Sequence, residues 1–293
     1  MRRHFLRQGA QAPIKVVAPV EKAATVTGRP TAFAILKQEE EKAARLVDFD
    51  TFKLLSATPT NAERGQRAVA LQTLAIARTF VGDTDGAIVA YSAASQGALE
   101  TPINEKDRAE IAAASAEDAL QAIVNAAKTR QIVILNEAHH VSMNRAFAMR
   151  LARELRKQGF EYMACETFNY YTHEANDTAA PPPLANGYPP QRGEGYYLRD
   201  PYFGEFMREA IRDKWKFVGY EYHVDDAKAS RLERLRRREE GQANNLMERV
   251  FRDNPKAKVF IYVGFGHAAK AAMPYGDTQE LMMAARLKSK NGH

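Results

Sequence analysis

Three apolar runs in this sequence end in residues that can move protons or hold charge. Ile132 to Leu135 runs into Asn136-Glu137-Ala138-His139-His140, Tyr162 to Cys165 runs into Glu166, and Val259 to Val263 runs into Gly264-Phe265-Gly266-His267. Singly, each has a plain structural reading: a carboxylate after a strand caps the next helix, paired histidines bound a loop, and a Gly-x-Gly turn opens a helix. Together they point to one cleft, because open parallel sheets bind ligands outside the carboxyl ends of their strands. The residue types suit hydrolysis by activated water, since an imidazole with an unperturbed pKa of about 6.5 takes up a proton near neutral pH. No Ser sits in a Gly-x-Ser-x-Gly turn and Cys165 lies just inside a strand, so a covalent nucleophile is not expected. The turn before His267 lacks the full dinucleotide pattern, and no nucleotide site is read there.

The elements that must position these groups follow from hydrophobic spacing. Residues 131–135, 162–165, 216–220 and 258–263 read as strands, and 118–128, 145–157, 202–214 and 229–253 as helices, the last stopped by Asn254-Pro255. Strands alternating with helices of ten or more residues predict an α/β fold, a mainly parallel β-sheet flanked by helices, over residues 116–293. Residues 172–200 carry Pro181-Pro182-Pro183, Asn186-Gly187 and Pro189-Pro190, too long a stretch for an ordinary connection, and read as a lid, a binding loop or a disordered insertion.

Before this domain, residues 38–115 read as helical. Phe33, Leu36, Ala43 and Val47 recur at helical spacing over Thr31 to Val47. Leu71, Leu74, Ala75 and Arg78 share a helical face, Gly82-Asp83 breaks it, and Ala87, Ile88, Tyr91 and Ala94 resume the period. That pattern resembles one tetratricopeptide repeat. A single repeat does not bury its own face, so the expectation is an all-helical cap on the α/β domain, with a peptide or protein partner as the other use of such helices.

The chain has 293 residues, 42 Lys and Arg against 36 Asp and Glu, and a net charge of +6. The densest basic run, Arg231 to Arg238, is interrupted by Glu233 and closed by Glu239 and Glu240, which reads as a solvated helix face, and no nucleic-acid partner is expected. One Cys excludes an internal disulfide framework. No apolar run approaches the roughly 18 residues that cross a bilayer. Residues 1–37, with Arg2, Arg3, Arg7, Lys15 and Lys22, lack the apolar segment of a secretory signal and predict a mobile basic segment and a cytoplasmic protein.

Asn136-Glu137-Ala138-His139-His140 resembles the Gly-Glu-x-x-His signature of the erythromycin esterase family, which shares a superfamily with the ChaN-like haem-binding, TraB and Tiki proteins. His140 falls at that family's essential His with Glu137 three residues earlier, whereas His139 matches the shorter Gly-x-x-His form of other branches. Glu166 matches the second acidic position, Gly219-Tyr220-Glu221 looks like the Gly-x-Asp strand end, and Gly266-His267 matches the terminal Gly-His. Residues 238–245 resemble the Arg-Asp-x-x-Met-Ala-x-Asn helix motif, with Glu239 for Asp and Gln242 for Met. Asn136 stands where the family has its first Gly.

The resemblance covers residues 116–267 and implies hydrolysis of an ester or related bond of a small-molecule substrate. His140 would be the base, Glu166 or Glu137 would orient it, and Arg238 and His267 would pair those carboxylates or stabilise negative charge. His139, His140, Glu166 and His267 also carry the donor atoms of a catalytic divalent-metal site with an open position. The ChaN-like branch implies the alternative of haem binding without turnover, with Tyr170, Tyr171, His173 or His223 toward the iron.

Overall fold

The computed structural model describes residues 64–95, 103–168 and 195–291. The basic segment 1–37, the helix expected over 31–47, Tyr170, Tyr171, His173 and most of segment 172–200 lie outside the described residues. The helices are α1 (Arg64–Phe80), α2 (Thr84–Ala94), α3 (Glu105–Ala113), α4 (Ala119–Ala127), α5 (Ser142–Lys157), α6 (Pro201–Arg212), α7 (Arg231–Leu246) and α8 (Met283–Asn291). The strands are β1 (Ile132–Glu137), β2 (Tyr162–Cys165), β3 (Lys216–Val218) and β4 (Val259–Gly264), with a small hairpin β5 (Met273–Tyr275) and β6 (Thr278–Glu280).

The first four strands pair in parallel in the order β1-β4-β2-β3, with Glu137 level with Gly264 and Cys165 level with Tyr262. The molecule is therefore mixed α/β, a four-stranded parallel sheet flanked by helices. Successive residues of a strand face opposite ways. Val133, Leu135, Met163, Cys165, Phe260 and Tyr262 meet Leu151 and Leu155 of α5 and Phe203, Phe206 and Met207 of α6. Ile132, Ile134, Ala164, Val218, Val259, Ile261 and Val263 meet Ala243 and Leu246 of α7 and Met283 and Leu287 of α8. The chain crosses the sheet through α5 and α6 on one face and returns through α7 on the other, as right-handed crossovers require when the direction of travel reverses. That reversal puts β4 in the centre, buried along its whole length, and leaves β1 half-buried at an edge.

Local chemistry sets where the helices start. Asp200 caps α6 by accepting from the N–H groups of Tyr202 and Phe203, and Pro201 occupies the first turn. A capping box of Ser230 and Glu233 opens α7, which passes into a π-helical turn over Met247–Phe251. In the hairpin of α1 and α2, Gly82 takes a φ of +79° and Asp83 accepts from the Gly86 N–H. Leu74, Ala75 and Ala77 of α1 pack with Ala90 and Tyr91 of α2. Among the described residues no helix is long and apolar enough to cross a membrane.

Candidate functional site

The period of two along the strands decides where each acidic group points. Glu137 follows Val133 and Leu135 toward α5 and is only 2% exposed. Its Oε2 lies 3.3 Å from Arg145 Nε and its Oε1 2.5 Å from His139 Nδ1. Burial by itself would raise this carboxyl, but the His139 hydrogen bond and the Arg145 charge hold it at about 2. Arg145 is fully buried on α5. It donates to Asp200 Oδ2 at 2.6 Å and to the His139 carbonyl at 2.9 Å, and its Nη1 is 3.4 Å from Thr79 Oγ1 of α1.

Glu166 follows Ala164 and faces the α7 side. Its Oε2 accepts from the Gly264 N–H at 2.8 Å and lies 3.6 Å from His139 Nε2. His139 thus spans the strand ends, between a carboxylate from each face of the sheet. Gly264 is needed for this: a Cβ there would lie 2.1 Å from His139 Nε2 and 3.0 Å from Glu166 Oε2. Burial pushes the Glu166 carboxyl up, and the charges of His139, His267 and Arg238 with the Gly264 N–H bring it below the usual carboxylate range.

Arg238 of α7 closes the network. It donates to both Glu221 oxygens, at 2.9 and 2.5 Å, to Glu166 Oε1 at 3.2 Å, and points Nη1 at His267 Nε2 at 3.2 Å. Gln242 also donates to Glu221, at 2.9 Å. His267 Nδ1 lies 2.7 Å from Oε1 of the fully buried Glu239, whose Oε2 accepts from the Met283 N–H. Burial would lower the His267 pKa; the Glu239 and Glu166 carboxylates raise it instead.

Aromatic rings wall the cluster. His139 stacks on Tyr197 at 4.2 Å and 13°, and lies perpendicular to Phe265 with ring centroids 5.9 Å apart. Phe265 holds a φ of +25°, is 43% exposed, and accepts at its carbonyl from the Asn136 side chain.

The structure therefore gathers Glu137, His139, Glu166, Glu221, Arg238 and His267. His140 is elsewhere. Its ring stacks on Tyr91 of α2 at 3.7 Å and 8°, its buried Nδ1 has no hydrogen-bond partner among the described residues, and it makes no hydrogen bond or ion pair to the carboxylates of the cluster. Two consecutive residues in the turn after β1 project apart, so only one of the two imidazoles enters the cluster. The expectation of His140 oriented by Glu166 or Glu137 gives way: neither reaches it, and Glu137 holds His139 instead. Burial, then the charges of His139 and Arg145, lower the His140 pKa.

Three of the four expected metal donors come together, His139 Nε2 and His267 Nε2 each lying 3.6 Å from a Glu166 oxygen, but His140 is not among them. The Arg238 guanidinium lies against both Glu166 and His267 where a cation would have to sit, and His140 is turned to Tyr91. Among the described residues no group of three or more His, Cys, Asp or Glu is arranged to hold an ion. His223 is exposed in the loop after β3.

Arg145, Tyr91 and Tyr197 are site residues that the motif reading did not select, and Glu239 entered it only as a match to the helix motif, without a role. Arg145 had a signal: at i, i+3 and i+6 with Ala148 and Leu151, it lies on the apolar stripe of its own helix, where a lone charge demands a buried partner.

Comparison of the chain with known protein families and with curated proteins finds no match. Two solved structures are similar, one described as "Bacterial protein toxins" at 14% identity and one as "Crystal structure of bacterial protein toxins" at 13%, each with a TM-score of 0.42. The matches cover 87% and 92% of this chain and 55% and 67% of those chains, so this chain spans about half the length of the first.

Proposed function

We propose that the strand-end cluster hydrolyses an ester or related bond of a small molecule, with His139 as the base that activates water. The observation that carries this reading is the 2.5 Å contact between His139 Nδ1 and Glu137. With Nδ1–H donated to a carboxylate that stays ionised, the Nε2 lone pair is left to take a proton from water. The hydroxide attacks the acyl carbon, and the imidazolium, stabilised by Glu137, then returns the proton to the leaving oxygen. Arg238 and His267 supply positive charge on the Nε2 side of the cluster, where negative charge develops. The esterase-branch resemblance puts its essential His at His140; the choice of His139 follows the shorter Gly-x-x-His register of the other branches of that superfamily. The half-exposed Phe265 beside His139 favours an apolar group next to the scissile bond.

The donor set described above does not fit a metal, and no step is assigned to one. The test is a screen of p-nitrophenyl and naphthyl esters against the wild type and the His139→Ala and His140→Ala variants, with and without a chelator, beside a haemin titration. Turnover that survives chelation and is lost in His139→Ala is the expected result. Equal turnover in all three proteins would remove the assignment. Absence of turnover with a sharp haemin absorbance band lost in a His or Tyr variant would move the chain to haem binding.

A further inference from the structure

A second surface lies at the β1 edge of the sheet, which no strand among the described residues covers. Among the described residues β1 pairs only with β4. The Val259 N–H donates to the Gln131 carbonyl at 2.8 Å. In a parallel ladder, alternate residues turn both backbone groups to the same neighbour, so the N–H and C=O of Ile132 and Ile134 face outward. A cavity of about 720 Å³ opens along this edge between α4 and α8, and none of the cluster residues lines it. Its apolar walls include Ile123 and Ala126 of α4, Ile132 and Ile134 of β1, and Leu287 of α8.

The charge around this groove has one sign. Arg130, Lys270 and Lys288 line it, all three are exposed, and among the described residues none has a carboxylate partner. The contrast on α8 is informative, because Arg286 and Lys290 both pair with Glu240 while Lys288 between them pairs with nothing. The buried side-chain nitrogen of Asn291, also in the lining, has no acceptor. An unpaired strand edge, an apolar trough, three uncompensated cations and an orphaned donor ask for one kind of occupant.

We propose that the β1 edge binds a short extended peptide segment of another protein, with alternating apolar residues and carboxylates at its ends. The segment would add a strand to the sheet through Ile132 and Ile134, place its apolar side chains between α4 and α8, and pair its acidic ends with Arg130, Lys270 and Lys288. Residues 131–134 span about 13 Å at ~3.3 Å per residue, which fits a strand of four or five residues. This surface is independent of the hydrolytic reading.

The experiment is fluorescence polarisation of the full chain with the labelled synthetic peptide Glu-Val-Thr-Val-Thr-Val-Glu. Its counterpart with Lys at both ends and a third version with Pro at the centre serve as comparisons. The acidic peptide should bind at least tenfold more tightly than the other two, and its affinity should fall with added salt. Lys270→Glu with Lys288→Glu should reverse the preference. Ile134→Pro removes an outward N–H without breaking the β4 ladder, and Ala126→Trp fills the trough from an exposed helix position; each should abolish binding with the melting temperature of the wild type. If Ile134→Pro fails to fold, Ala126→Trp alone decides. Equal affinity for the acidic and basic peptides, or binding unchanged in Ala126→Trp, would overturn the proposal. So would a concentration-dependent dimer lost in Ala126→Trp, which would assign the edge to a second copy of the chain.

Discussion

His139 and His140 are neighbours in the chain and opposites in the fold. The first reaches 2.5 Å from Glu137 Oε1 across the strand ends, and the second lies flat against Tyr91 of the helical hairpin. Substituting each by Ala should therefore break different things. His139→Ala removes the proposed base and should lower ester turnover by about 100-fold or more, the lower end of what general acid–base catalysis contributes. His140→Ala should leave kcat within a few fold and cost stability, including ~0.5–1.5 kcal/mol for the stacked ring pair. Steady-state kinetics beside thermal melts of the two variants check both halves.

Arg145 ties the site to the hairpin and to the start of α6. It is buried with Glu137 and Asp200 as ionic partners, so removing it leaves two carboxylates uncompensated. Arg145→Met should destabilise the fold by about 3–5 kcal/mol, the range for breaking a buried ion pair from one side. The double variant with Asp200→Asn should recover part of that loss, because one of the stranded charges is gone. Urea denaturation of the single and double variants measures the coupling; strict additivity would remove the network argument.

Much of this fold was legible because the strands are short, apolar and bounded by polar residues. Residues 258–263 announce a strand buried on both faces, and β4 is the central strand. The cluster was legible as far as strand ends go: Glu137, Glu166 and His267 each follow an apolar run. What was not legible is which way a turn sends two adjacent side chains, since the choice between His139 and His140 depends on a hairpin more than 40 residues earlier supplying Tyr91. The β5–β6 hairpin and α8 were also missed, because three-residue strands and a helix with three charges in nine residues carry little periodic signal. Glu239 stood at the acidic position of the helix motif and also closed a basic run that read as a solvated helix face. It is fully buried because α7 turns that side toward His267 and the Met283 N–H.

Acid should act on this protein through two groups with the same sign. The Glu137 pKa is held at about 2 in the folded chain, below the value of about 4.3 of a free glutamate, so its contribution is complete above that value and is lost as pH falls toward 2. The shift corresponds to ~3 kcal/mol as an order of magnitude. His140 has a lowered pKa and is favoured neutral; its contribution is present above about 6.5 and is lost as pH drops below it. His267 has a raised pKa, so its contribution is present below the free-histidine value and is lost as pH rises through the folded one. Melting temperatures of His140→Phe and wild type should diverge in favour of the variant between pH 7 and 5. His267→Gln should lose more stability at pH 5 than at pH 9, and a pH-independent difference in either series would contradict the assignment.

Phe265 gives the sharpest test of the cleft, because its backbone and its side chain argue in opposite directions. A bulky residue with φ of +25° is strained, and strain of this kind costs about 1–3 kcal/mol where it is retained. Burial does not explain its retention, since the residue is 43% exposed. Its ring is parallel to Tyr91 within 9° and perpendicular to His139 at 89°, so it walls one side of the proposed base. Phe265→Gly should relieve the backbone and keep or raise the melting temperature. The same change should remove the wall and lower kcat/KM for naphthyl or benzoyl esters by about tenfold, the scale on which an apolar pocket discriminates, while acetyl esters lose much less. Phe265→Leu retains the strain and part of the apolar surface, so it should fall between wild type and glycine in selectivity and show no gain in stability. A glycine variant that melts earlier than wild type, or one whose losses are equal for aromatic and acetyl esters, would mean that Phe265 is held for packing and not for substrate.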